Sequence, residues 1–121
     1  MELKTKRRII SKLRLIFGWE EVKKEAVLKA ESEDRNKYKC AQCKRMYKRR
    51  TVQVDHTVPI LDPETGFPKL SDGSDDWSTY IKRMFCSVDN LQILCKRCHS
   101  KKTKAENAIR AESRKNGNYK F

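Results

Sequence analysis

Two cysteine pairs with two-residue spacers, Cys40/Cys43 in CAQC and Cys95/Cys98 in CKRC, constrain this chain more than any other feature. A tight knuckle of that spacing turns two thiolates toward one ion, and two knuckles complete a tetrahedral four-thiolate zinc site. The interval between the pairs, residues 44–94, is 51 residues long. A simple zinc finger needs far less, so a functional unit is expected inside the clamp. The fifth cysteine, Cys86, lies beside an apolar stripe and reads as a small core residue. No secretory signal precedes the pairs, which points to metal in a reducing, intracellular setting and away from a disulfide framework.

At 121 residues there is room for one small domain with a helical extension. Hydrophobic and charged residues each make up 37% of the chain, so the core must be small and a metal staple is expected. The net charge of +13 is unevenly spread. Residues 1–39 carry 12 basic and 7 acidic side chains, and residues 40–50 carry 5 basic and none acidic. Residues 51–80 reverse this with 1 basic and 6 acidic, and residues 81–121 return to 11 basic and 3 acidic. An acidic middle between basic flanks suits a cation-holding loop set between surfaces that attract a polyanion, so the expected partner is nucleic acid. No apolar run approaches the roughly 20 residues of a membrane span. The segment TKRRIISKLRLIF is basic and amphipathic, but acids resume at once in GWEEVKKE, which speaks against a targeting or membrane-surface helix.

In chain order, residues 4–17 read as a helix with Ile9, Leu13, Ile16 and Phe17 as its apolar face and Lys6, Arg7, Arg8, Lys12 and Arg14 around the others. Gly18 is a helix stop. A second helix is expected over residues 19–31, with Trp19, Val22, Ala26 and Ala30 on one side. These helices read either as packing alone on the domain that follows or, for the first, as also lying against phosphates, and the pattern does not separate the two. ESEDRNKYK reads as a linker, and TVQVDH alternates as a strand. All three prolines fall in the loop VPILDPETGFPKLSDGS. Asp75 or Ser74 is the expected cap of the helix DWSTYIKRMF, whose Trp77, Tyr80, Ile81, Met84 and Phe85 form a core stripe. NLQIL reads as a strand, residues 96–112 as a helix, and the tail SRKNGNYKF as loose.

The chain has only two histidines, and each adjoins a metal-binding feature. Asp55-His56 ends a strand. His99 follows a ligand cysteine in the first turn of a helix where Cys95, Cys98, His99 and Lys102 stand at i, i+3, i+4 and i+7. Zinc at the cysteines would thus orient His99 toward a second, open metal site. Lys102 reads either as a phosphate contact or as a solvated lysine. The run KRMYKRR offers Lys48, Arg49 and Arg50 as nucleic-acid contacts.

In order, CAQC, VDHTVPI and NLQILCKRCHSKKT resemble the HNH endonucleases of the ββα-metal fold, especially small phage-type members with a zinc scaffold. The resemblance covers residues 40–104 and leaves the first 39 outside. It implies an α+β chain: a small ββα-metal core with a structural zinc, an N-terminal basic helical extension (residues 1–36) and a nuclease domain (residues 37–121). It further implies a metal-dependent DNA endonuclease leaving 5′-phosphate and 3′-hydroxyl ends. His56 would be the general base, Asp55 and His99 the ligands of one catalytic divalent cation, and Asn90 the support of the loop carrying the base. Some members place further histidines or acids at the site; this chain has no third histidine, and its Asp/His pair suits Mg²⁺, Mn²⁺, Ni²⁺ or Zn²⁺. Resemblance to phage proteins implies a bacterial host cytoplasm and a partner in genome packaging or a mobile element. The rival reading is a zinc-stabilised nucleic-acid-binding module without catalytic activity.

Overall fold

A computed structural model describes residues 1–34 and 36–121. Among the described residues, four α-helices and two small antiparallel sheets make an α+β arrangement. Helix α1 spans Leu3–Phe17 and α2 spans Glu21–Ala30; strands β1 (Tyr38–Lys39) and β2 (Met46–Tyr47) follow, then β3 (Val52–His56). Helix α3 spans Trp77–Met84, strand β4 spans Leu91–Cys95, and α4 spans Lys96–Lys115.

Strands β1 and β2 pair as a tiny hairpin whose turn is the first cysteine knuckle. Cys40 N–H donates to the Arg45 carbonyl at 3.0 Å, and Lys44 carries the turn at φ +65°. Strands β3 and β4 pair antiparallel from Val52 opposite Cys95 to His56 opposite Leu91. Helix α4 starts where β4 ends, with Cys95 as its N-cap accepting from the Cys98 N–H at 3.4 Å. Two strands and the helix leaving the second form a ββα unit, with α3 inserted between the strands. Strand β4 is covered on both faces, since Leu91, Ile93, Leu94 and Cys95 are all buried, and therefore shows little alternation.

Two small cores divide the burial. One comprises Ile10, Phe67, Tyr80 and Met84, with Leu13, Phe17, Trp77 and Phe121 against it. The other is built on Cys40, Leu94 and Cys95, with Ala41, Tyr47 and Cys98 around them. The first core is where the N-terminal helix meets α3.

Several local expectations are corrected. The packed face of α1 runs through Lys6, Ile10, Leu13 and Phe17, while Ile16 is exposed. Lys6, expected on the outer face, is 5% exposed: its ammonium lies 3.9 Å from the Phe67 ring centroid, pairs with Asp75 at 3.1 Å and donates to the Phe121 carbonyl. A buried cation is tolerated only with such company. Trp19 is 67% exposed, because α2 begins two residues after it and packs through Ala26 instead. The cap of α3 is Asp76, whose carboxylate accepts from the Thr79 N–H at 3.0 Å; Asp75 is drawn away by Lys6 and Lys69. Ile81 leaves the expected stripe for solvent, being 41% exposed. The tail is docked, not loose: Phe67 N–H donates to the Lys120 carbonyl at 2.8 Å, and Lys120 N–H to the Thr65 carbonyl at 3.0 Å. Gly66 permits this approach. At φ +91°, a Cβ there would sit 2.2 Å from the Lys120 oxygen.

Candidate active site

The four paired cysteines converge. Their sulfurs all lie within 4.8 Å of one another, Cys40 and Cys95 fully buried and Cys43 at the rim. Tetrahedral zinc with sulfurs about 2.3 Å away places them about 3.8 Å apart, so the cluster is the right size to close on one ion. Its electrostatics agree. The Tyr47 hydroxyl, 3.3 Å from Cys43 Sγ, holds that thiol down to about 6. Burial, and then the neighbouring sulfurs, push Cys98 up to about 12. Sulfurs this crowded do not all carry charge unless a cation joins them, and zinc is the fitting cation. Cys86, half-buried, stands outside the cluster.

The β3–β4 register positions the second group of side chains. Asp55 lies opposite Gln92, whose amide donates to Asp55 Oδ2 at 2.9 Å. From α4, Lys102 Nζ donates to the same oxygen at 2.6 Å and to the His56 carbonyl at 2.6 Å. His99, one turn before Lys102, places Nε2 3.8 Å from Asp55 Oδ1. An ion about 2.0–2.2 Å from each donor bridges such a gap with little movement.

His56 turns its ring toward α3, with Nε2 2.9 Å from the Met84 carbonyl. A carbonyl only accepts, so Nε2 donates this bond and Nδ1 is the nitrogen not engaged by it. Phe17 of α1 packs on the same ring at a centroid distance of 4.9 Å. Asp55, His56, His99 and Lys102 share a cleft of about 300 Å³, also lined by Arg14, Tyr80, Glu106 and Arg110.

The structure therefore brings together Asp55, His56, His99 and Lys102. Asn90 stands apart, holding the loop that follows His56: its side chain accepts from the Val58 N–H at 3.1 Å. Lys48, Arg49 and Arg50 do not join the cleft, lining a separate recess with Asn36 and Tyr38. Arg14, Phe17, Tyr80, Gln92 and Arg110 are additions invisible to motif spacing. Only Gln92 had a signal, since pairing the two expected strands puts it opposite Asp55.

Over 86 residues, 71% of the chain, the sequence is 30% identical to a "Probable HNH endonuclease" of Lactococcus phage SK1, covering 76% of that protein. The chain belongs to the HNH endonuclease family. No family model matches it, and no solved structure matches. His56 on β3 and His99 on α4 line one cleft, while Asn90 immediately precedes β4. No described helix is long and apolar enough to cross a membrane.

Proposed function

We propose that the protein is a metal-dependent DNA endonuclease that hydrolyses phosphodiester bonds, with His56 as general base. The observation that carries this reading is the setting of His56. One ring nitrogen is committed to the Met84 carbonyl at 2.9 Å, so the other is the tautomer that can take a proton from water. Beside it, Asp55 and His99 would hold the catalytic divalent cation, whose chemistry is to stabilise charge on the phosphate and the departing oxygen. Asp55 stays correctly aimed because Gln92 holds its second oxygen. Asn90 maintains the path of the loop after His56, and Phe17 restrains the imidazole. Lys102, on the same wall of the cleft, would supply a positive charge beside a bound phosphate. The basic flanks, with a net charge of +13 for the whole chain, draw the polyanion in.

Plasmid nicking with Mg²⁺, Mn²⁺ or Ni²⁺ tests the reading. Cleavage by the parent protein and its loss in His56→Ala, with DNA binding retained, is the expected result. One observation favours the rival reading of a zinc-stabilised binding module: Lys102 already neutralises Asp55, with Nζ 2.6 Å from the carboxylate. Binding without cleavage under all three ions would select the module.

A further inference from the structure

Helix α1 carries six cations and no acid between Leu3 and Phe17. Lys6 is buried against Phe67 and Asp75, and Arg14 lines the cleft. The other four, Lys4, Arg7, Arg8 and Lys12, are exposed and share one open surface with Leu3 and Ser11. At the helical repeat this surface lies opposite the packed face of Ile10, Leu13 and Phe17. None of the four is in an ion pair among the described residues. The arrangement works against the helix itself. Lys4, Arg8 and Lys12 stand at i, i+4 and i+8, where like charges repel. Lys4 also lies in the first turn, where the helix dipole disfavours a cation and no acid offsets it. A face that only solvates a helix mixes signs, as α2 does with Lys24 3.1 Å from Glu21 and α4 with Lys102 and Arg110 beside Glu106. A face of one sign fits an anionic partner. A lipid surface would need the apolar side of α1 as well, and the core already covers it. A nucleic-acid backbone needs only the cations. From Lys4 to Lys12 the helix rises about 12 Å, the reach of roughly three to four phosphates along one strand.

We propose that the outer face of α1 is a second docking surface for duplex DNA, outside the cleft, with Lys4, Arg7, Arg8 and Lys12 tracking the phosphates of one strand. Phe17, at the end of α1, packs on the His56 ring at 4.9 Å, while Lys6, near its start, pairs with Asp75. The surface therefore begins beside the cleft and leads away from it, so the N-terminal helix holds the duplex at a distance from the bond that is cut. This rests on the endonuclease reading for the identity of the partner, but the surface is measurable without catalysis.

The test compares the parent with two triple variants. Lys4→Gln/Arg8→Gln/Lys12→Gln clears the α1 face, and Lys23→Gln/Lys24→Gln/Lys29→Gln removes the same charge from α2. Each is measured for affinity to a labelled DNA duplex across a salt series without divalent cation, for binding to phosphatidylserine vesicles, for cleavage with Mn²⁺ and for melting temperature. The α1 variant is expected to lose about three units of salt slope, one per phosphate contact, and at least about tenfold in affinity. The α2 variant should keep most of both. The α1 variant should melt no lower than the parent, because only repulsion between like charges is removed. Its kcat/KM should fall with its affinity, while kcat at saturating DNA stays that of the parent. An equal loss in the α2 variant assigns the effect to net charge and overturns the surface. A lower melting temperature in the α1 variant gives the face to folding and overturns it too. Vesicles bound more tightly than DNA, with that binding lost in the α1 variant, would make it a lipid surface instead. If the parent cuts and the α1 variant binds as the parent does, the surface falls and the endonuclease reading stands. If the parent never cuts but the α1 variant alone loses affinity, the surface stands and the catalytic reading falls.

Discussion

The side chain of Asn90 grips the backbone of Val58 from both sides, Oδ1 accepting from its N–H at 3.1 Å and Nδ2 donating to its carbonyl at 3.4 Å. The Asn90 carbonyl adds a third bond, from the Thr57 N–H at 2.8 Å. Three bonds thus tie the two residues after His56 to the start of β4. Asn90→Asp keeps the accepting oxygen but turns the second contact into a repulsion between oxygens. A surface hydrogen bond contributes about 1 kcal/mol, so the melting temperature should fall by only a few degrees. Misplacing a catalytic group by about 1 Å costs on the order of 100-fold, so kcat should fall far more. Steady-state cleavage kinetics and thermal melts of one sample check both, and a loss confined to KM would contradict the assignment.

Phe17 should matter to the reaction although it lies on the N-terminal helix. Its ring packs on His56 at 4.9 Å and on Phe85 at 6.1 Å. Phe17→Leu retains an apolar side chain of similar size and should cost about 1 kcal/mol of stability. Without the flat ring the imidazole has more freedom, so kcat should drop with little change in DNA affinity. Unchanged kcat would mean that the Met84 carbonyl alone orients His56.

Zinc removal should unfold the second core. Cys40 and Cys95 are buried at its centre, and Cys95 also caps α4. Metal analysis should find about one tightly bound zinc per chain. Cys95→Ser should abolish cooperative melting, because metal binding and folding are one equilibrium in so small a unit. A folded, active, zinc-free Cys95→Ser protein would sink the scaffold assignment.

Acid should weaken the first core through Asp75. Burial alone would raise its carboxyl, but hydrogen bonds and charge from Lys69 and Lys6 outweigh that and hold it below the ordinary value. A carboxylate depressed in the folded state contributes stability above its unfolded value of about 3.9 and loses it as pH falls through the folded value. Asp75→Asn, which leaves Lys6 buried without its counter-charge, should therefore melt well below the parent at neutral pH. The gap should be constant from about pH 5 to 8 and close below about pH 4. A gap that persisted undiminished in acid would assign the effect to packing rather than to charge.

The sequence by itself determined the clamp and the ββα unit. The spacers of CAQC and CKRC dictate two knuckles, and alternation in TVQVDH with the apolar run of NLQIL dictates two strands. A ligand cysteine at the end of the second strand makes the next turn helical, which places His99 and Lys102 on one face. These are local rules, acting over a few residues. Only tertiary structure decided which face of α1 is buried, because Lys6 becomes a core residue solely through Asp75, Phe67 and Phe121, all distant in sequence. It likewise decided that the tail docks, since the Gly66–Lys120 approach depends on a glycine 54 positions earlier (120 − 66). The walls of the cleft belong to the same class. Arg14 and Tyr80 stand 66 residues apart (80 − 14) and carry no motif. They meet because Ile10, Phe67 and Met84 exclude water between α1 and α3, and burial against a distant element leaves no periodic trace in either segment.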